Sequence, residues 1–136
     1  MNLVSTRIIT SNIKELIAFY EQISQASLVQ YTPDFAELKT QFGTLAIAST
    51  KTLPLFGADK IAQPNHNLSA IIEFRVDDVD AYYARLSNYL EAYIIQKPTV
   101  LPWGNKSFLF QDPDGNLVNV FTPVTPGAIQ KFDGAS

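Results

Sequence analysis

The chain has no cysteine, which excludes disulfides, thiolate metal sites and a cysteine nucleophile. It has one histidine, His66, so a metal or general-base role there finds no second imidazole. No Ser-His-Asp constellation, phosphate loop or basic helix stands out. The ten Lys and Arg residues form no run and the net charge is −3, which argues against nucleic acid as a partner. No window approaches about 18 uninterrupted apolar residues, so no membrane span is expected. The opening residues 1–10 lack a charged start and a long apolar stretch, so no signal peptide is read and the cytoplasm is the expected location. What is present is an ordinary globular composition, 46% hydrophobic and 17% charged over 136 residues. That length suits a single domain with one substantial core.

The most informative stretch runs from Trp103 to Phe121. Two apolar runs, Ser107 to Phe110 and Leu117 to Phe121, flank Asp112-Pro113-Asp114-Gly115-Asn116. Proline fixes one turn angle and Gly115 accepts positive φ, so the cluster predicts a tight hairpin. The strand leaving it puts Leu117, Asn119 and Phe121 on one face and Val118 and Val120 on the other. A single Asn in an apolar row suggests a face that lines a pocket.

Residues 3–10 are rich in β-branched side chains and predict a strand. Asn12 follows as an N-cap with Glu15 three residues on, in the manner of a capping box. Ile13, Leu16, Ile17, Tyr20 and Ile23 then make a helical apolar stripe. Three strands are expected near 26–31, 35–41 and 44–49, separated by the turns Pro33-Asp34 and Phe42-Gly43. Residues 50–67 lack periodicity and read as a linker or a loop over a site. The order then restarts: a strand over 68–76, a cap at Asp77-Asp78, and a stripe of Val79, Tyr82, Tyr83, Leu86 and Leu90. Strands follow at 92–100, 106–111 and 117–122. Strand, capped helix and three strands thus occur twice, an internal duplication of one βαβββ unit. The expected architecture is α+β. The units, about 3–49 and 68–122, would set their sheets side by side into a curved mixed sheet with helices on the outer face. The tail 123–136 is either loose or docks by Ile129 and Phe132.

These residues carry a resemblance. Ser11-Asn12-Ile13 with Ala18-Phe19-Tyr20, Phe74-x-Val76-Asp77-Asp78-Val79-Asp80, and Trp103-Gly104 followed by Asp112-Pro113-Asp114-Gly115-Asn116-Leu117 resemble the vicinal oxygen chelate superfamily. That group includes glyoxalase I, extradiol dioxygenases and the fosfomycin and bleomycin resistance proteins. The resemblance implies metal ligands at positions matching Ser5, Ile71 and Asn119. Ser and Asn are poor ligands for Zn²⁺, Fe²⁺ or Mn²⁺ and Ile is none, so no metal or other cofactor is expected. It also implies a homodimer, whose pairing would cover exposed sheet edges.

Arg7 and Glu73 hold matching places in the two units. Either they anchor a polar ligand in an apolar cup or they pair as a structural ion pair. Arg75 shares a face with Glu73. Trp103 either stacks on a ligand or closes the core. Tyr82, Tyr83 and Tyr89 fit core packing, Asp77, Asp78 and Asp80 fit a helix start, and His66 fits a solvated loop. Two functional readings remain open. The first is a metal-independent small-molecule-binding protein, suited to drug sequestration or resistance, with a cavity lined by Ser5, Arg7, Ile71, Glu73, Trp103, Phe108 and Asn119. The second is a lyase, isomerase or dioxygenase-type enzyme, metal-dependent or using Glu73 as a base, since a carboxylate buried among apolar groups becomes more basic.

Overall fold

The computed structural model describes residues 1–57 and 60–133. The chain divides into two compact units, residues 1–67 with 113–115 and residues 68–112 with those from 116 onward. Each is a four-stranded mixed sheet with one helix between its first and second strands, which is the twice-repeated βαβββ order.

The first unit contains β1 (Ser5–Thr10), α1 (Ile13–Ser24), β2 (Val29–Thr32), β3 (Phe35–Lys39) and β4 (Thr44–Ser49), in sheet order β1-β4-β3-β2. Strand β1 runs parallel to β4, and the other pairs are antiparallel. Asn12 caps α1 by accepting from the Glu15 amide at 3.2 Å, while its own amide donates to Thr10 Oγ1 at 3.1 Å. Only half of the capping box forms, because Thr10 satisfies the donor that Glu15 would have reached. The stripe buries Leu16, Phe19, Tyr20 and Ile23. Phe19, which was outside the expected stripe, meets Tyr20 edge to face at 5.3 Å. Strand β2 starts later than expected. Gln25 takes a left-handed conformation that closes α1, and the Glu21 carboxylate holds the Leu28 amide at 2.9 Å. Residues 26–28 are thereby tied to the helix end rather than to the sheet.

The stretch read as aperiodic opens with a 3-10 helix, Thr50–Phe56. Ser49 caps it by accepting from the Lys51 amide at 3.2 Å, and Pro54 is tolerated in so short and loosely bonded a turn. Leu53 is its buried residue.

The second unit contains β5 (Ile71–Arg75), α2 (Val79–Leu86), β6 (Ile94–Val100), β7 (Asn105–Gln111), β8 (Leu117–Pro123) and α3 (Pro126–Asp133), in sheet order β5-β8-β7-β6. Asp78 caps α2 through the Ala81 amide at 3.1 Å. Thr122 pins the helix entry, accepting from the Val79 amide at 2.9 Å and donating to the Val76 carbonyl at 2.8 Å. The helix stops at Leu86. Leu90 still buries in the turns that follow, and Tyr93 bonds back to Leu90, so β6 begins at Ile94. Tyr89, expected in the core, is exposed in those turns. The β7–β8 hairpin is as expected, with Gly115 at φ 82°. Asp112 locks it, its carboxylate accepting from the backbone and side-chain amides of Asn116 at 2.9 and 2.8 Å. The tail forms α3, in which the Phe132 ring meets that of Phe121 while Phe132 and Ile129 both remain partly exposed. Among the described residues no helix is long and apolar enough to cross a membrane.

Candidate functional site

Register decides which side chains share a face. In the second unit Glu73, Asn119 and Leu109 form one rung across β5, β8 and β7, and Arg75, Phe121 and Ser107 form the next. Ile71 and Leu117 precede them on the same side. This face carries Glu73 and Asn119 together, as the strand phases required. The opposite face holds Phe108, Phe110, Val118 and Val120, all buried.

Phe108 therefore needs a correction. It stands on the α2 side, its ring edge-to-face with Tyr83 at 5.1 Å and 5.1 Å from Phe110. The alternation of β7 gives Ser107 and Leu109 to the Asn119 face instead.

The Asn119 amide nitrogen donates to Glu73 Oε2 at 2.8 Å. Glu73 is exposed, not buried as the reading of it as a base supposed. Three buried oxygens near this face have no hydrogen-bond partner among the described residues: Asn119 Oδ1, Ser107 Oγ and Asn105 Oδ1. Arg75, on the next rung, is held by Asp133 of α3 at 2.6 Å and lies over the Phe132 ring. Trp103 is not a core residue. It projects from the turn before β7 with 66% of its surface exposed.

In the first unit Arg7 shares a rung with Ala46 and Glu37. Its guanidinium lies 4.7 Å from the Phe35 ring centre and 5.6 Å from that of Phe56. Arg7 and Glu73 thus each engage groups of their own unit. Ser5 is exposed at the start of β1. Lys39 on the same face is 3.8 Å from Glu37, and its amine is held above the ordinary lysine range first by a hydrogen bond to Tyr31. His66 is exposed, with Nδ1 at 2.7 Å from the Pro64 carbonyl.

The implied metal positions do not fit a divalent ion. Ser5 offers a neutral hydroxyl, Ile71 offers nothing, and Asn119 offers only a neutral amide oxygen, a poor ligand for such an ion. Among the described residues no group of three His, Cys, Asp or Glu side chains could hold a metal ion.

Sequence reasoning missed Phe56, which lay in the aperiodic stretch, and Asp133, which nothing local linked to Arg75. Ser107 could have been found by carrying the hairpin alternation back across the turn.

With this geometry in hand, the model of the glyoxalase/bleomycin resistance protein/dioxygenase superfamily matches residues 2–120. The chain belongs to that superfamily. Among solved structures, a glyoxalase/bleomycin resistance protein/dioxygenase family enzyme from Burkholderia phytofirmans PsJN is 18% identical, with TM-score 0.78, covering 91% of this chain and 100% of its own. A lactoylglutathione lyase from Agrobacterium tumefaciens is 20% identical, with TM-score 0.68, covering 96% and 97%. At these identities both show the superfamily fold and no more. A structure described as a conserved domain protein is 29% identical, with TM-score 0.69, covering 90% and 99%. Among curated proteins none matches.

Proposed function

We propose that this superfamily member is a metal-independent small-molecule-binding protein, with its ligand resting on the Glu73–Asn119 face of the second unit. The observation that carries the reading is the Asn119 amide hydrogen-bonded to Glu73, at a position where the resemblance implies a metal ligand. An amide–carboxylate pair orients a ligand's polar groups, while Ile71 and Leu109 supply apolar surface for affinity. Trp103 of the same unit is exposed and available as a further contact; on the first unit's own face Ser5 and Arg7 are exposed, Arg7 as a cation already braced by two rings. Sequestration of a drug-like compound is the role this chemistry suits. Pairing of two chains belongs to the same reading, since edge strand β2 is exposed along its length and presents Val29 and Tyr31.

The test is thermal melting of the purified protein with Zn²⁺, Mn²⁺, Fe²⁺ and Ni²⁺, alongside a small-molecule screen read by Trp103 fluorescence. Melting temperatures unchanged by metal, with hits in the screen, support the reading. One equivalent of metal per chain with a clear upward shift overturns it in favour of a metalloenzyme. Glu73→Gln separates the remaining alternative. Weakened binding fits a ligand contact, whereas normal binding of a compound that the parent protein turns over and the variant does not would identify a base.

A further inference from the structure

The face that carries Glu73 and Asn119 is partly covered by the chain's own last helix. At its start α3 is fastened to the β7 turn: the amides of Val124 and Thr125 donate to the Gly104 carbonyl at 2.9 and 3.3 Å. Gly104 has φ 92°, and a side chain there would collide with Thr125 and Ala128, so the two segments meet backbone to side chain. At its other end α3 is held by different means. The Phe132 ring lies 5.2 Å from that of Phe121, and the Asp133 carboxylate meets the Arg75 guanidinium at 2.6 Å. Arg75 and Asp133 are both partly exposed, which makes their ion pair a weak latch.

The rung beneath this latch is polar and incomplete. Ser107 stands opposite Phe121, which stands opposite Arg75, and Ser107 is fully buried with no partner for its hydroxyl among the described residues. Asn119, one rung away and 7% exposed, has a side-chain carbonyl with no partner among the described residues. Buried polar groups without partners are costly, so a cover that leaves them unmatched fits the floor poorly.

We propose that Phe132 and Asp133 occupy a ligand subsite as an internal stand-in, and that the ligand class it accepts is an aromatic carboxylate. The ring of such a ligand takes the place of Phe132 against Phe121, and its carboxylate takes the place of Asp133 on Arg75. Glu73, one rung on, is an anion held by the Asn119 amide, and Arg75 is the cation to which a ligand's carboxylate is drawn. Helix α3 pivots about its Gly104 anchor to admit the ligand. This rests on the Asn119 face being the ligand face, as proposed above.

The experiment uses the full chain with benzoate and phenylacetate as probes and benzylamine as the opposite-charge control, read by calorimetry and by the amide resonances of Lys131, Phe132 and Asp133. The expected result is binding of the carboxylates over benzylamine, with those three resonances shifting. Asp133→Asn loosens the latch and raises carboxylate affinity by about two- to fivefold, since the binding-competent fraction grows. Arg75→Gln lowers it by at least about tenfold. Preference for benzylamine, or binding that leaves the α3 resonances and the Asp133→Asn affinity unchanged, overturns the inference. Should the screen give hits that respond to Glu73→Gln while no aromatic carboxylate binds, this inference fails and the function proposed above stands.

Discussion

Asn119 and Glu73 face one another across the parallel pair β5–β8, joined by a 2.8 Å hydrogen bond from the amide nitrogen to the carboxylate. The bond makes the two side chains one acceptor-rich element, in which the amide donor neutralises part of the demand of the carboxylate and its carbonyl is left over. Replacing the donor reverses the interaction. Asn119→Asp sets two carboxylates against each other and is expected to cost about 1–3 kcal/mol at neutral pH. The loss recedes in acid as the pair takes up a proton, so urea denaturation compared near neutrality and in mild acid checks it.

Phe108 and Trp103 should behave oppositely. Phe108 is packed among Tyr83, Tyr82 and Phe110, and Phe108→Ala is expected to destabilise by about 3–5 kcal/mol. Trp103→Ala removes an exposed ring and is expected to stay within about 0.5 kcal/mol. Equilibrium denaturation of the two variants separates a core aromatic from one open to a ligand.

Gly115 and Gly104 share positive φ and differ in their neighbours. Nothing lies within 4 Å of the place a Gly115 side chain would take, so Gly115→Ala pays the left-handed backbone alone, about 1–2 kcal/mol. At Gly104 the added methyl also meets Thr125 and Ala128, and overpacking adds about 1–3 kcal/mol. The second variant should also release α3, seen as faster amide exchange at Ile129, whose amide bonds the Thr125 carbonyl.

Burial pushes the Tyr82 phenol well above its ordinary 10.0, with Arg85 acting the other way. An unfolded chain would lose this proton near 10 while the native state keeps it. Stability from this group is therefore full below about pH 10 and declines as pH rises toward the native value. Tyr82→Phe keeps the ring and removes the ionisation, so its stability should fall less across that range in urea titrations at rising pH.

The backbone plan was largely legible because it rests on local chemistry. Asn12 and Asp78 announce the helix starts, Gly115 announces the hairpin, and period-2 alternation places Asn119 away from Val118 and Val120. Element edges were less legible where a distant partner sets them. The Glu21 carboxylate delays β2, and the turns after Leu86 delay β6. The site was legible in part. Glu73 and Asn119 do share a face, but Phe108 went to the wrong one, because alternation gives two rows and does not say which row the helix covers.

What the sequence determined by itself is the duplicated βαβββ order and the capped helices. These depend on residue type and short spacing, which one strand of text contains. Tertiary structure alone decided that Arg7 lies between Phe35 and Phe56, that Asn119 gives its amide to Glu73, and that Asp133 reaches Arg75. Each of those joins residues far apart in the chain, and their meeting is fixed by strand register and helix docking, to which no local propensity refers.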